Sequence, residues 1–575
     1  MRILVVQITR MGDVIQTSPL VHALRLHHPE AHIAMMVRKM GKLVAERHPD
    51  VDEVIVYNED NMFIDLRSRD SDRLLKAYRE TEQFIDSLKA KRFDVAYNTT
   101  NSLASAMLLR LTGIPEIVGA DLSDDGCFIR RGRWVNYFFT SVFCREYNDL
   151  NLCDIFRHFV RPIDSKPSLY FTLHDEDRAH ASALLRANDV TENDFIVCMQ
   201  LGASEDSKRW AVSRYAELAR LLIETYKAKI FLVGVQEEAC LGNEFMQLAP
   251  GAAVPLYGHT TLSQLGALLE CSDVLITNDT GTMHVAAAVK CPVTLVSVGH
   301  VHYRETGPYG EGHCAIEYKR EFLGQSDLKV RGADEHTRIN SEQVLAAVRV
   351  ALMAKSGGPE KQMIDNTTLA NVDLYYTRMA PDSCLAFYPV IRRPMHKRDL
   401  LRLAYRAMWL RFLHCKEASD VDHDQSKVLR CLQEFIMQFD GFDADEPLHE
   451  YHKTCEEGFT ALGELAAEGA ELARQLLDIL SGKTVHARPM TAARDYVENL
   501  MQLDEKMRLH GELHPACKPL VLIARFERDN LEGADPIDLA RTTRDIYRAT
   551  ITCCSLLNAI LDQIISLCET AFTDT

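Results

Sequence analysis

Short, β-branched apolar runs alternate with helical stretches along the first 350 or so residues of the chain. The first run is Ile3-Leu4-Val5-Val6, followed by a turn at Thr9-Arg10-Met11-Gly12-Asp13 and a helix over 14–28 that Pro29 ends. Further strands are expected at 33–37, 54–57 and 93–97, with a helix over 72–89. Strands spaced by helices of this length imply a parallel, doubly wound sheet. Residues 131–167 are less regular and rich in aromatic side chains, and read as a crossing between domains. The scheme then repeats. A strand at 195–199 leads into the polar loop 202–210, and a helix opened by Ser213 carries Tyr215, Leu218, Leu221 and Leu222 on one stripe. A strand at 230–233 ends in Gly234, and a helix over 261–269 follows.

The stretch 272–299 organises the rest. Val274-Leu275-Ile276-Thr277 reads as a buried parallel strand, Asn278-Asp279-Thr280-Gly281 as a turn and helix start, 283–289 as a close-packed helix, and 293–298 as a second strand. Open α/β sheets bind ligands at the carboxyl ends of their strands, and open amides at a helix start favour phosphate. Asp279 and Thr280 as plain helix caps are the alternative. Past residue 357 the pattern changes to long helices, expected over 398–414, 427–439, 456–480, 492–509 and 537–572. The expected architecture is two α/β domains, 1–170 and 171–356, with ligand edges facing a cleft, and an all-α C-terminal domain, 357–575.

Composition narrows the function classes. A length of 575 residues suggests roughly three or four domains. The net charge of −17 argues against a nucleic-acid binder, which needs a basic face. Sixteen cysteines without a CxxC pair, behind an N-terminus that reads as a strand, fit reduced thiols in a cytoplasm. No run reaches the roughly 18 apolar residues of a membrane span; the nearest, 551–568, is interrupted by Asn558, Asp562 and Gln563.

Three loops carry candidate chemistry. Asp13, followed three residues later by Gln16, reads either as a capping-box variant or as a general base. Lys208 suits a phosphate charge, with a solvated surface lysine as the alternative. The third is Asp279-Thr280-Gly281 with His284 one turn on. The pairs Asp70/Asp72, Asp175/Asp177 and Asp443/Asp445 mimic a metal-binding DxD, but none follows a buried strand, so they read as solvated helix starts. His300 and His302 read as a polar pocket rim, since no third metal ligand lies nearby in sequence.

In order along the chain stand Arg10-x-Gly12-Asp13 with Thr17-x-Pro19-Leu20, Gly202-Ala203-Ser204 with Lys208-Arg209-Trp210, Asp279-Thr280-Gly281-x-Met283-His284-x-Ala286-Ala287-Ala288, and Thr306-Gly307-Pro308-Tyr309-Gly310. Over residues 1–355 this series resembles glycosyltransferase family 9, the bacterial heptosyltransferases of lipopolysaccharide core assembly. The resemblance implies the GT-B fold, two Rossmann-like domains, with 1–170 on the acceptor side and 171–356 on the donor side. It implies Asp13 as catalytic base, and Gly12, Ser204, Lys208, Glu238, Asp279, Thr280, Gly281 and His284 as donor-binding residues, Glu238 toward the ribose. It also implies an inverting, metal-independent transfer with no cofactor, from a nucleotide sugar, ADP-heptose first, to a glycan or lipid-linked acceptor. The setting would be cytoplasmic, at the inner membrane. The family's prolines are replaced by Leu201 and Ala211, and its loop after Gly299 by His300-Val301-His302-Tyr303, so other donors stay open. A non-catalytic sugar-nucleotide-binding or scaffold protein is the competing class, and a protein acceptor a variant of the first; keeping Asp13, Lys208 and the Asp279 loop together favours catalysis.

The helical region adds one feature. Arg398, Arg402 and Arg406 share a helix face, extended by Arg392, Arg393 and Lys397 beside an apolar stripe. The face either pairs with acidic neighbours or docks on an anionic membrane.

Overall fold

A computed structural model describes residues 1–58, 69–161, 166–299, 302–318, 335–354, 368–369, 371–413, 425–442, 448–483 and 489–573. In chain order its strands are β1 Arg2–Gln7, β2 His32–Arg38, β3 Glu53–Tyr57, β4 Val95–Asn98, β5 Glu116–Leu122, β6 Phe128–Arg131, β7 Ile196–Gln200 and β8 Lys229–Val233. They continue with β9 Val254–Pro255, β10 Val274–Thr277, β11 Val293–Ser297, β12 Cys314–Tyr318, β13 Val372–Met379, β14 Leu385–Pro389, β15 Arg393–Met395 and β16 Phe439–Phe442. The chain forms two compact units, one of Met1–Glu82 with Leu150–Ile391, the other of Gln83–Asp149 with Arg392–Thr575.

The first unit is α/β. β1 to β3 pair in parallel, Ile3 opposite Ile33 and Ala34 opposite Glu53. Five of the six residues of β1 are buried, because a parallel strand is covered on both faces. A second sheet runs in the order β14-β13-β12-β11-β10-β7-β8-β9. Its strands from β12 across to β9 are parallel, while β13 and β14 add antiparallel. Helix Val212–Tyr226 lays Tyr215, Leu218 and Leu222 on this sheet beside the fully buried Trp210. Each such side chain contributes about 1.5–3 kcal/mol on leaving water.

Three sequence expectations need correction here. The helix expected from Val14 starts at Met11 and is split into Met11–Gln16 and Ser18–His27. Pro19 has no amide for the Ile15 carbonyl, so the ladder is interrupted there. Strands β13 and β14 lie in the region read as purely helical; Val372-Asp-Leu-Tyr-Tyr-Thr-Arg-Met has enough alternation to be a strand, but the long helices beyond masked it. In the second unit, the aromatic stretch read as irregular holds helix Arg133–Phe143, which buries Trp134 and Tyr137.

The second unit pairs β4 with β5 in parallel and β5 with β6 antiparallel, and pairs β15 with β16 separately. Its helices include Lys397–Phe412, Gln425–Ile436, Leu448–Leu480, Pro489–Leu513, Lys518–Asp529 and Pro536–Thr573. Tyr405 stacks on Trp409, which also meets Tyr137, at the centre. Asn530 closes a pair of bonds with the Arg130 backbone, at 2.8 and 2.7 Å, and Arg131 reaches Glu532 at 2.7 Å. Helix 536–572 is apolar and long enough to cross a membrane by composition, yet Leu557, Ile560, Leu561, Ile564 and Cys568 are buried within the protein.

The basic face does not survive as a docking surface. Arg406 is buried, 2% exposed, and bonds both the Asp149 carbonyl and carboxylate, at 2.8 and 3.1 Å. Asp399 takes Arg402 at 3.2 Å and Arg393 at 2.7 Å. Three of the charges that stood out against −17, those of Arg393, Arg402 and Arg406, are internal ion pairs, as the helix packs by part of its arginine side as well as its apolar stripe.

Candidate functional site

The site is built at the start of two helices and the loop between a strand and a third. Asp13 is the third residue of helix Met11–Gln16, whose cap position is Arg10. Its Oδ2 accepts the Arg10 amide at 3.2 Å and the Thr9 hydroxyl at 2.7 Å. Asp13 therefore supplies the reciprocal half of a capping box rather than the cap, and the predicted partner Gln16 is buried instead.

Asp279 is no cap either. Its Oδ2 lies 3.2 Å from Lys208 Nζ, so the lysine read as solvated in one alternative is held, at 12% exposure. Thr280 occupies the cap position of helix Gly281–Ala288 in extended backbone, but its side chain makes no cap bond and meets the Thr277 hydroxyl at 3.1 Å. A helix start without a side-chain cap keeps its first-turn amides for another acceptor.

His284 joins the two loops. It is buried, and its Nδ1 has no hydrogen-bond partner among the described residues. Burial pushes its pKa down, against the pull of Asp279 and Asp13, so the ring is neutral at neutral pH. A Cβ on Gly12 would stand 3.0 Å from its Cδ2, so glycine is what lets the Asp13 helix approach the imidazole this closely.

Glu238 takes the Gln200 amide at 2.7 Å and the Val235 N–H at 3.2 Å, and its carboxylate fills the space a side chain on Gly202 would need. Ser204 stands apart, exposed in the loop after β7. Asp70 accepts the Asp72 amide at 2.9 Å where helix Ser71–Ala90 begins, and Asp177 pairs with Arg47 at 2.9 Å. Asp443, Asp445 and His300 lie outside the described residues, and His302 precedes the short helix Tyr303–Thr306.

Sequence reasoning missed three supporting residues. Thr9 orients Asp13. Gln200 links Glu238 to the Thr282 hydroxyl at 3.2 Å. Asn278, fully buried, donates to the Leu201 and Gly202 carbonyls at 2.9 and 3.0 Å and accepts from the Trp210 amide at 2.9 Å. A polar amide closing an apolar strand next to Asp279 was the available signal for Asn278.

Residues 81–321 match the model of glycosyltransferase family 9 (heptosyltransferase). Over this stretch the chain is similar to glycosyltransferase family 9. The chain is 26% identical over 304 residues to lipopolysaccharide heptosyltransferase 2 of Escherichia coli K12, covering 51% of this chain and 81% of that protein. It is also 26% identical over 344 residues to lipooligosaccharide heptosyltransferase 2 of Haemophilus influenzae, covering 58% and 92%. In fold it is similar to the crystal structure of a family 9 glycosyltransferase from Veillonella parvula, with a TM-score of 0.51 at 20% identity over 61% of this chain and 97% of that one. The chain is thus a heptosyltransferase-like glycosyltransferase of GT-B-like architecture with a helical C-terminal region, and the scaffold reading gives way to an enzyme.

Proposed function

We propose that the chain transfers heptose from ADP-heptose to a lipopolysaccharide-core-like acceptor in one inverting, metal-independent displacement. One observation carries the reading: the helix bearing Asp13 packs through Gly12 against buried His284, and the helix bearing His284 starts without a side-chain cap beside the Lys208–Asp279 pair. The names of the relatives support the sugar and the acceptor class, and the family resemblance supports ADP. Asp13 takes the proton of the acceptor hydroxyl as that oxygen bonds the anomeric carbon, and the bond to the diphosphate breaks. The leaving charge falls to Lys208 and to the amides at Thr280 and Gly281, which act most strongly where water is excluded. One base suffices because the nucleoside diphosphate leaves without a proton. Glu238 faces the ribose and Asp279 the diphosphate or the sugar, with residues 1–170 on the acceptor side, 171 onward through β14 on the donor side, and the helices from Lys397 on as an appended region. The acceptor class sets the work on the cytoplasmic face of the inner membrane. Incubation with ADP-, GDP- and UDP-linked sugars and truncated lipopolysaccharides tests this. Acceptor-dependent ADP release with an inverted product anomer is expected; release from a UDP- or GDP-sugar alone would contradict it.

A further inference from the structure

Both hydrogen bonds that the structure gives the Asp13 carboxylate end on the same oxygen. Thr9 Oγ1 lies 2.7 Å from Oδ2 and the Arg10 amide 3.2 Å from it. The Thr9 hydroxyl has a second acceptor, Gln7 Oε1, at 2.6 Å. Gln7 is buried, and its Nε2 is turned to the Thr17 hydroxyl at 3.2 Å, which aims its oxygen back at Thr9. Thr17 in turn donates to the Asp13 carbonyl at 2.8 Å, so the base, its donor and its donor's second acceptor form one closed unit.

A threonine hydroxyl has one proton for two acceptors. An ionised carboxylate is the stronger acceptor, so the proton points to Oδ2 while Asp13 is charged. Once Asp13 gains a proton the two acceptors become comparable, and the hydroxyl can turn to Gln7 at no loss of hydrogen bonding.

We propose that Thr9 is the positioning residue of the catalytic base: it fixes Oδ2, leaves Oδ1 to receive the acceptor's proton, and swings to Gln7 Oε1 when that proton arrives. The inference rests on Asp13 being the base. The proton balance is closed: the acceptor's hydroxyl proton ends on Oδ1, its oxygen forms the new bond to the anomeric carbon, the electron pair of the broken bond leaves with the diphosphate, and Thr9 keeps its own proton.

The test measures ADP release from ADP-heptose with truncated lipopolysaccharide as acceptor for wild type, Thr9→Val, Thr9→Ser, Asp13→Asn and Thr9→Val/Asp13→Asn. Thr9→Val keeps the shape and removes the donor. A freely turning carboxylate loses near-attack geometry, so kcat should fall roughly ten- to a hundredfold. The donor KM, ADP affinity by calorimetry and the melting midpoint should stay at wild-type values. Thr9→Ser should restore kcat, and Thr9→Val should add nothing to Asp13→Asn. Wild-type kcat in Thr9→Val beside a dead Asp13→Asn overturns the inference alone. A kcat loss not rescued by serine, or one accompanied by a lowered melting midpoint, also overturns it, since Thr9 is then only packing. Full activity in Asp13→Asn, or no turnover by the wild type, overturns the reading beneath it as well.

Discussion

Lys208 Nζ lies 3.2 Å from Asp279 Oδ2, and both side chains are mostly sequestered, at 12% and 17% exposure. The two come from loops 71 positions apart, each at the carboxyl end of a strand of the second sheet, β7 and β10, which are themselves paired. Asn278 ties the loops together through Leu201, Gly202 and Trp210. The lysine is therefore held before any ligand arrives, so little side-chain freedom is left to lose on binding a diphosphate.

Lys208→Ala should weaken ADP binding by about ten- to a hundredfold, the range for losing a hydrogen bond to a charged group, and should lower turnover with it. Asp279→Asn keeps the lysine and should cost much less in ADP affinity. Calorimetric titration of both variants decides. Equal losses in the two would make the pair a structural clasp.

Two other buried histidines set an acid limit on the α/β unit. His48 is pushed down to about 4, mainly by burial, with the Ser18 carbonyl and Asp50 pulling the other way. His313 is pushed down to about 4 by burial. Both are neutral when folded and near 6.5 when unfolded, so below that pH the unfolded chain binds protons the folded one refuses. Their stabilisation is complete above about 6.5 and is lost as the pH falls toward 4. The melting midpoint of the wild type should drop across that window, and His48→Gln/His313→Gln should flatten the drop. An unchanged slope in the double variant would contradict the assignment.

The helical unit has its own buried charge. Arg406 and Asp149 are 2% and 4% exposed, and Arg406 also lies over the Phe435 ring at 5.2 Å. Arg406→Met strands the carboxylate and should cost about 3–5 kcal/mol in urea unfolding. A cost under 1 kcal/mol would mean that the pair is open to water, as for surface pairs.

Much of the fold was legible because parallel strands buried on both faces write themselves as unbroken apolar runs. Ile3 to Val6, Ile230 to Val233 and Val274 to Thr277 fell where the runs put them. Strands β13 and β14 did not, since the long helices that follow them set the reading of the whole region past residue 357. The arginine face misled for a different reason: spacing shows which residues share a helix face, not whether Asp149 or water lies opposite. At the site, the loops themselves were legible from their residue types. That Asp13 and His284 approach each other was not, because the approach depends on tertiary packing past Gly12.

The central claim is that Asp13 removes the acceptor's proton, and the rate of Asp13→Asn measures it most directly. The amide keeps the size of the side chain and a carbonyl oxygen for the Thr9 and Arg10 donors while giving up basicity. With ADP-heptose and truncated lipopolysaccharide, transfer should fall by about 10²–10⁴, the range for losing a general base, with ADP affinity at the wild-type value. Transfer by Asp13→Asn at the wild-type rate would contradict it.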